Sequence, residues 1–216
     1  LGERRSTPPY FASRSFAAGA LIHEIQGNAA AADAIISTLR GIELEHDEKD
    51  LSAWGPWIAP LLLRRGEIEQ AMTVAEHGTA VRRWSGLHAV YYEGVCQALP
   101  AAGRWEEIPE RAREYRAYAE RGGFEALPPA VDVMEGRLAV HFGDLKRALV
   151  LFRSAIEGFS AVEAAWDVAS ARLALGETFI AAGRGDEAVA ALRPALETFE
   201  RLEAVREQAQ ARKLLS

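Results

Sequence analysis

The chain has 216 residues, 49% of them apolar and 26% charged, a globular composition that excludes an intrinsically disordered chain. A net charge of −6 with scattered Lys and Arg excludes the basic footprint of a nucleic-acid binder, and a single cysteine, Cys96, excludes an internal disulfide. Abundant alanine, sparse β-branched residues and no apolar run near the roughly 18 residues needed to span a bilayer predict an all-α chain without a membrane span.

In chain order the pattern predicts a series of helical hairpins, each turning at a glycine. The first covers 9–45 and turns at Gly27, in "GNAAAA". The second, 51–84, turns at Gly66 in "GEIEQA"; Pro56 and Pro60 fall in its first helix and predict a late start near Trp57 or a kink. The third, 86–121, turns at Gly103 in "GRWEEI", flanked by Pro100 and Pro109. The acidic "ELEHDEKD" (43–50) and "RGGFEALPPA" (121–130) are predicted as the widest loops between hairpins, the latter with Pro128 or Pro129 at a helix start. The fourth hairpin, 128–160, turns at Gly143 and the fifth, 165–203, at Gly183, with helices near 166–182 and 185–202 and a local kink expected at Pro194. A terminal helix, 205–216, repeats the start of the fifth hairpin and stops.

The corner glycines lie 39, 37, 40 and 40 residues apart. Five positions after each stands Ala32, Ala71, Ile108, Ala148 or Ala188; seven before stands Ala20, Ala59, Cys96, Gly136 or Gly176. Small residues on both helices allow the two axes to approach to about 8–10 Å. Across the last two copies Phe159 pairs with Phe199, Glu163 with Glu203, Ala164 with Ala204 and Ala171-Arg172 with Ala211-Arg212. Each hairpin alone leaves apolar surface bare, so neighbours have to stack.

Glycine, alanine five later and a small residue seven before resemble the tetratricopeptide repeat, as do Phe152, Ala155 and Ala195 on the second helices. The period is longer than the 34 residues usual for that family and no proline closes the second helix. The long form and its "F-x-x-[VL]-E-A-x-x-x-x-A-x-A-R" junction are similar to the repeat regions of MalT/LuxR-type bacterial transcription regulators and multidomain nucleotide cyclases. The resemblance implies an α-solenoid of about five helix-turn-helix repeats plus a C-terminal helix, spanning 1–216 as a single superhelical domain. It further implies a sensor or docking arm whose catalytic or DNA-binding partner domains lie elsewhere. An opening without Met and a tail that stops mid-repeat lead to the expectation that the piece is excised from a longer chain.

Chemistry within the chain finds little support. "AAGRGDEA" (181–188) has neither the preceding strand nor the Lys-Ser/Thr of a phosphate loop, and its Arg-Gly-Asp tripeptide is a weak adhesion signal. His23, His46, His77, His88 and His141 show no metal-binding spacing; "EHDE" (45–48) reads as a solvated loop with a cation grip as the alternative. No catalytic residue, metal set or cofactor is nominated. The aromatics Trp54, Trp57, Trp84, Tyr91 and Tyr92 read either as core packing or as groove lining. The tetratricopeptide resemblance places Arg14, Glu24, Arg64, Glu93, Gln97, Arg137, His141 and Glu177 on the inner face, with Trp57 and Tyr92 offering contact area. The reading is therefore a non-enzymatic, cytoplasmic module that docks a protein or peptide partner. The alternatives are a small-molecule sensor, or self-association into a homo-oligomer through the terminal repeat. No nucleic acid or membrane partner is expected.

Overall fold

Straight-chain and alanine side chains lose little freedom in a helix, and every described secondary-structure element of this chain is helical. The computed structural model describes residues 9–46, 55–80 and 88–216. The chain divides into two compact units, Leu1–Gly94 and Val95–Ser216, with the boundary inside helix α5 (His88–Ala101).

The first unit holds α1 (Pro9–Ile25), α2 (Ala29–His46), α3 (Gly55–Arg65), α4 (Ile68–Ala80) and the start of α5. Helix α1 packs on α2 and on α3, and α3 packs on α4. Their shared core is Ala17, Ala20, Ile58 and Leu61, edged by Leu21, Ile35, Ile36 and Leu62. The Tyr91 ring lies directly on Gly78, where a Cβ would stand 1.9 Å from a ring carbon. At the hairpin corners Arg65 reaches back to Glu24, with Nη2 2.8 Å from Oε2, and to Asp33, with Nη1 2.8 Å from Oδ1.

The second unit begins with the end of α5 and a 3₁₀ turn at Trp105–Glu107. It continues through α6 (Ile108–Gly122), α7 (Leu127–His141), α8 (Leu145–Ala161), α9 (Ala165–Ala181), α10 (Gly185–Arg201) and α11 (Val205–Leu215). From α6 to α11 each helix packs against the next in the chain. Asp144 caps α8 by accepting the Arg147 N–H at 3.0 Å.

The corner at Gly183 shows why the chain reverses where it does. Gly183 has φ +71°, in the left-handed region that favours glycine. Its N–H donates to the Ile180 carbonyl (3.0 Å) and the Arg184 N–H to the Phe179 carbonyl (2.9 Å), the paired bonds of a Schellman stop. The same conformation recurs at Gly27, Gly66, Gly103 and Gly143. The residues five after each corner, Ala32, Ala71, Ile108, Ala148 and Ala188, are all buried. On the facing helices a Cβ on Gly136 would stand 2.7 Å from the Phe152 ring, and one on Gly176 would stand 2.5 Å from Leu192. Between hairpins the same turn is built without glycine: Glu163 and Glu203 both have φ +56°. There the Ala164 N–H donates to the Phe159 carbonyl and the Ala204 N–H to the Phe199 carbonyl, at 3.0 and 2.9 Å.

Several local expectations change. Helix α3 begins at Gly55, ahead of Pro56, because a proline in the first turn forfeits no helical bond. Pro60 and Pro100 lie inside α3 and α5, and α10 runs uninterrupted through Pro194, whose carbonyl accepts a 3.0 Å bond from Thr198 Oγ1. Glu43–His46, expected in a loop, complete α2, while 47–50 lie outside the described residues. Residues 123–126 alone join α6 to α7, with Gly123 left-handed at φ +67° and a proline in the first turn of α7.

The corner geometry makes a separable pair of predictions. Nothing lies within 4 Å of a Cβ built on Gly183, so Gly183→Ala is a purely backbone perturbation and should cost about 1–2 kcal/mol in urea unfolding. Ala188→Leu, at a buried position, should cost about 1–3 kcal/mol through overpacking.

Candidate functional site

Helices α7, α9 and α11 open successive stretches of the second unit, and packing determines which side of each stays open. Helix α7 buries Ala130, Val131, Met134, Gly136 and Ala139, leaving Arg137, Val140 and His141 exposed. Arg137 and His141 are four apart, so they stand on one face a turn from each other, with Cβ atoms about 6 Å apart. Helix α9 contributes the half-buried Glu177, and Gln210 on α11 donates its side-chain N–H to Glu177 Oε1 at 2.5 Å.

Arg137 lies on the exposed side of α7. Loss of water pulls its guanidinium below the usual arginine range, while the Glu177 carboxylate acts in the opposite direction. Among the described residues Arg137 makes no hydrogen bond or close ion pair. One turn on, the His141 ring stacks on Trp105 with centroids 4.3 Å apart and planes at 10°, and the Phe142 ring meets His141 edge-on at 5.0 Å. Trp105 reaches this place because it follows the corner at Gly103, where a Cβ would lie 3.7 Å from the indole nitrogen. Phe142 is 72% exposed, so this aromatic group is part of the surface.

No protein-family model matches the chain, and no curated protein is significantly similar to it.

Asp167, in the first turn of α9, is also perturbed: burial pushes its carboxyl up to about 6, against a bond from its own backbone N–H. A third set is structural. The buried Asp132 on α7 accepts from Arg116 of α6 at 2.5 Å and from Ser154 of α8 at 2.6 Å. Glu135 accepts from Arg116 at 2.6 Å and from Arg147 at 3.2 Å. These acceptors are engaged in joining α6, α7 and α8.

The remaining expected site residues fare differently. Arg14 and Trp57 lie in α1 and α3, but their side chains are outside the described set, as are Trp54 and Trp84 entirely. Arg64 and Glu93 are half-buried, and Gln97 is exposed on α5. Tyr92 is buried, as is Tyr91, so of the two readings of these rings core packing holds and Tyr92 offers no groove contact. Glu24 is bonded to Arg65. Arg137 and His141 stand on α7 and Glu177 on α9, Glu177 acting electrostatically on Arg137 while His141 stacks on Trp105. Trp105, Phe142, Asp167 and Gln210 were not foreseen; Gln210 was within reach of the repeat, standing 40 residues after Ser170 on the helix recognised as a further copy.

The Arg-Gly-Asp tripeptide is absorbed into a corner: Arg184 pairs with Glu187 and lies 4.8 Å over the Phe179 ring, and Asp186 sits in the first turn of α10. Among the described residues no group of three or more His, Cys, Asp or Glu could hold a metal ion, and no helix is long and apolar enough to cross a membrane.

Two variants test this electrostatic layout. A carboxyl whose folded value lies above its unfolded one, near 4, contributes stability that is full below about pH 4 and lost as pH rises through about 6. Asp167→Asn should therefore raise stability in thermal melts at pH 7 by on the order of 1–2 kcal/mol and leave it unchanged at pH 4. Arg116→Ala removes the charged partner of the buried Asp132, leaving it only Ser154, and should destabilise by about 1–3 kcal/mol in the same melts.

Proposed function

We propose that the chain is a tetratricopeptide-like α-solenoid of about five repeats, acting as a non-catalytic interaction module of a larger bacterial signalling or transcription-regulatory protein. Its partner is a peptide segment of another protein, laid across α7, α9 and α11. Three features support the architecture. The left-handed corner glycines recur at near-constant spacing, the residues five after them are buried, and each helix of the second unit packs on the next.

The observation that carries the binding reading is Arg137. A guanidinium with five donors, open to solvent and without an acceptor among the described residues, is a recognition group in waiting. The contrast with Arg116, whose acceptors lie within the fold, is what separates a docking face from a structural network. Glu177, held by Gln210, supplies an acceptor beside it for a peptide N–H. A small-molecule sensor is the second reading, in which the same exposed guanidinium holds a compact acidic ligand.

Panning the immobilised protein against a random dodecapeptide library tests the docking reading. Enriched peptides are expected whose affinity falls roughly tenfold or more on Arg137→Ala and is unchanged by Asp186→Asn at the corner. Absence of any enriched peptide, or full binding to Arg137→Ala, would contradict it.

A further inference from the structure

On α9 the face that receives the following helix is fixed by register. The Trp166 ring meets Phe199 of α10 edge-on with centroids 5.7 Å apart, and a Cβ on Gly176 would stand 2.5 Å from Leu192. Ala169 and Leu173 lie between them on the same face and are buried. On α7 the equivalent Pro129 and Gly136 lie against Gly158 and Phe152 of α8. Helix α11 starts from the same turn as α9, Glu203 matching Glu163 in φ, and forty residues after the α9 set it carries Arg206, Ala209, Lys213 and Ser216, every one exposed. Its opposite side, with Ala204 and Ala211 buried, packs on α10. We propose that the exposed face of α11 docks an acidic helix of a partner protein, in the place that α10 takes on α9.

Charge determines the occupant. Trp166 and Leu173 are replaced by Arg206 and Lys213, which stand two helical turns, about 10 Å, apart. An apolar helix such as α10 laid on these cations would take them out of water without an acceptor, so the occupant has to bring carboxylates to matching positions. Helix α11 as a whole carries Arg206, Arg212 and Lys213 against the single carboxylate of Glu207, in a chain of net charge −6. Beside the cations lies an apolar footing: Val205 is 53% exposed and Leu202, in the turn before it, 37%. Ala209 keeps the small side chain of Ala169, which lets a second helix axis come close. This surface uses neither Arg137 nor His141, so it stands or falls separately from the peptide site.

The 15N-labelled full chain is titrated with three capped helical peptides, each a triple repeat of one heptad: Glu-Ala-Ala-Leu-Glu-Ala-Ala, the same with Gln for Glu, and the same with Lys for Glu. The Glu peptide should bind roughly tenfold or more tightly than the Gln peptide, with the shifted amides in Val205–Leu215, and the Lys peptide should not bind. Its affinity should fall as salt rises. Lys213→Glu should weaken the Glu peptide roughly tenfold, and combining it with Arg206→Glu should transfer the preference to the Lys peptide. Lys213→Glu alone, at an exposed position, decides the matter where the double variant loses its fold. Absence of binding by the Glu peptide, equal binding of the Glu and Gln peptides, shifts confined to other helices, or indifference to Lys213→Glu would each overturn the proposal. A concentration-dependent dimer in sedimentation equilibrium that Lys213→Glu abolishes would also overturn it, by making a second copy of the chain the occupant.

Discussion

The fold depends on how closely the two helices of a hairpin can approach just before and just after the corner. A side chain larger than glycine at 136 or 176 would collide with Phe152 or Leu192, so the packing of α7 on α8 and of α9 on α10 requires a missing Cβ there. The corner then has to reverse the chain within a single turn, which a left-handed residue with its two backward hydrogen bonds achieves. Because both constraints recur at one spacing, residues at equal distance from their corners occupy equivalent places. Arg137 and Glu177 each stand six before a corner glycine, and they are the pair that senses each other across α7 and α9.

Charge is used in two ways on this frame. Most arginines described above are neutralised locally and serve as ties. Arg65 joins two corners of the first unit through Glu24 and Asp33, and Arg116 links α6 to α7 through Asp132 and Glu135. Arg104 and Arg184 each grip a glutamate three residues on, at equivalent positions after their corners. Arg137 differs, because the Glu177 carboxylate acts on it electrostatically while accepting a hydrogen bond from Gln210. An arginine kept partly dehydrated without a closely bonded acceptor gains more from a bound anion than one already paired.

Much of the helical layout was legible in the sequence because glycine and small residues carry specific steric meanings. Helices expected near 166–182 and 185–202 are found at Ala165–Ala181 and Gly185–Arg201, bounded by the glycine and junction turns that predicted them. What escaped were features with no residue-type signature. Glu163 and Glu203 adopt a conformation glycine would favour, and their pairing in the repeat showed equivalence without showing shape. The division at Gly94 is likewise unmarked by a repeat that continues through it. Within the site, Arg137, His141 and Glu177 followed from position in the repeat. Trp105 did not, because its place depends on a 3₁₀ turn after Gly103 that brings it under the end of α7. Tyr92 could be assigned to core or groove only once burial was known.

In the proposed solenoid, residues equivalent by the 40-residue repeat lie side by side on neighbouring first helices. Nitroxide labels at Arg137→Cys and Glu177→Cys, in a Cys96→Ala background, test it by continuous-wave electron paramagnetic resonance. Label-bearing helices about 10 Å apart should give clear dipolar broadening relative to the singly labelled proteins. A doubly labelled spectrum equal to the sum of the two single ones would place the residues on separate faces and contradict the claim.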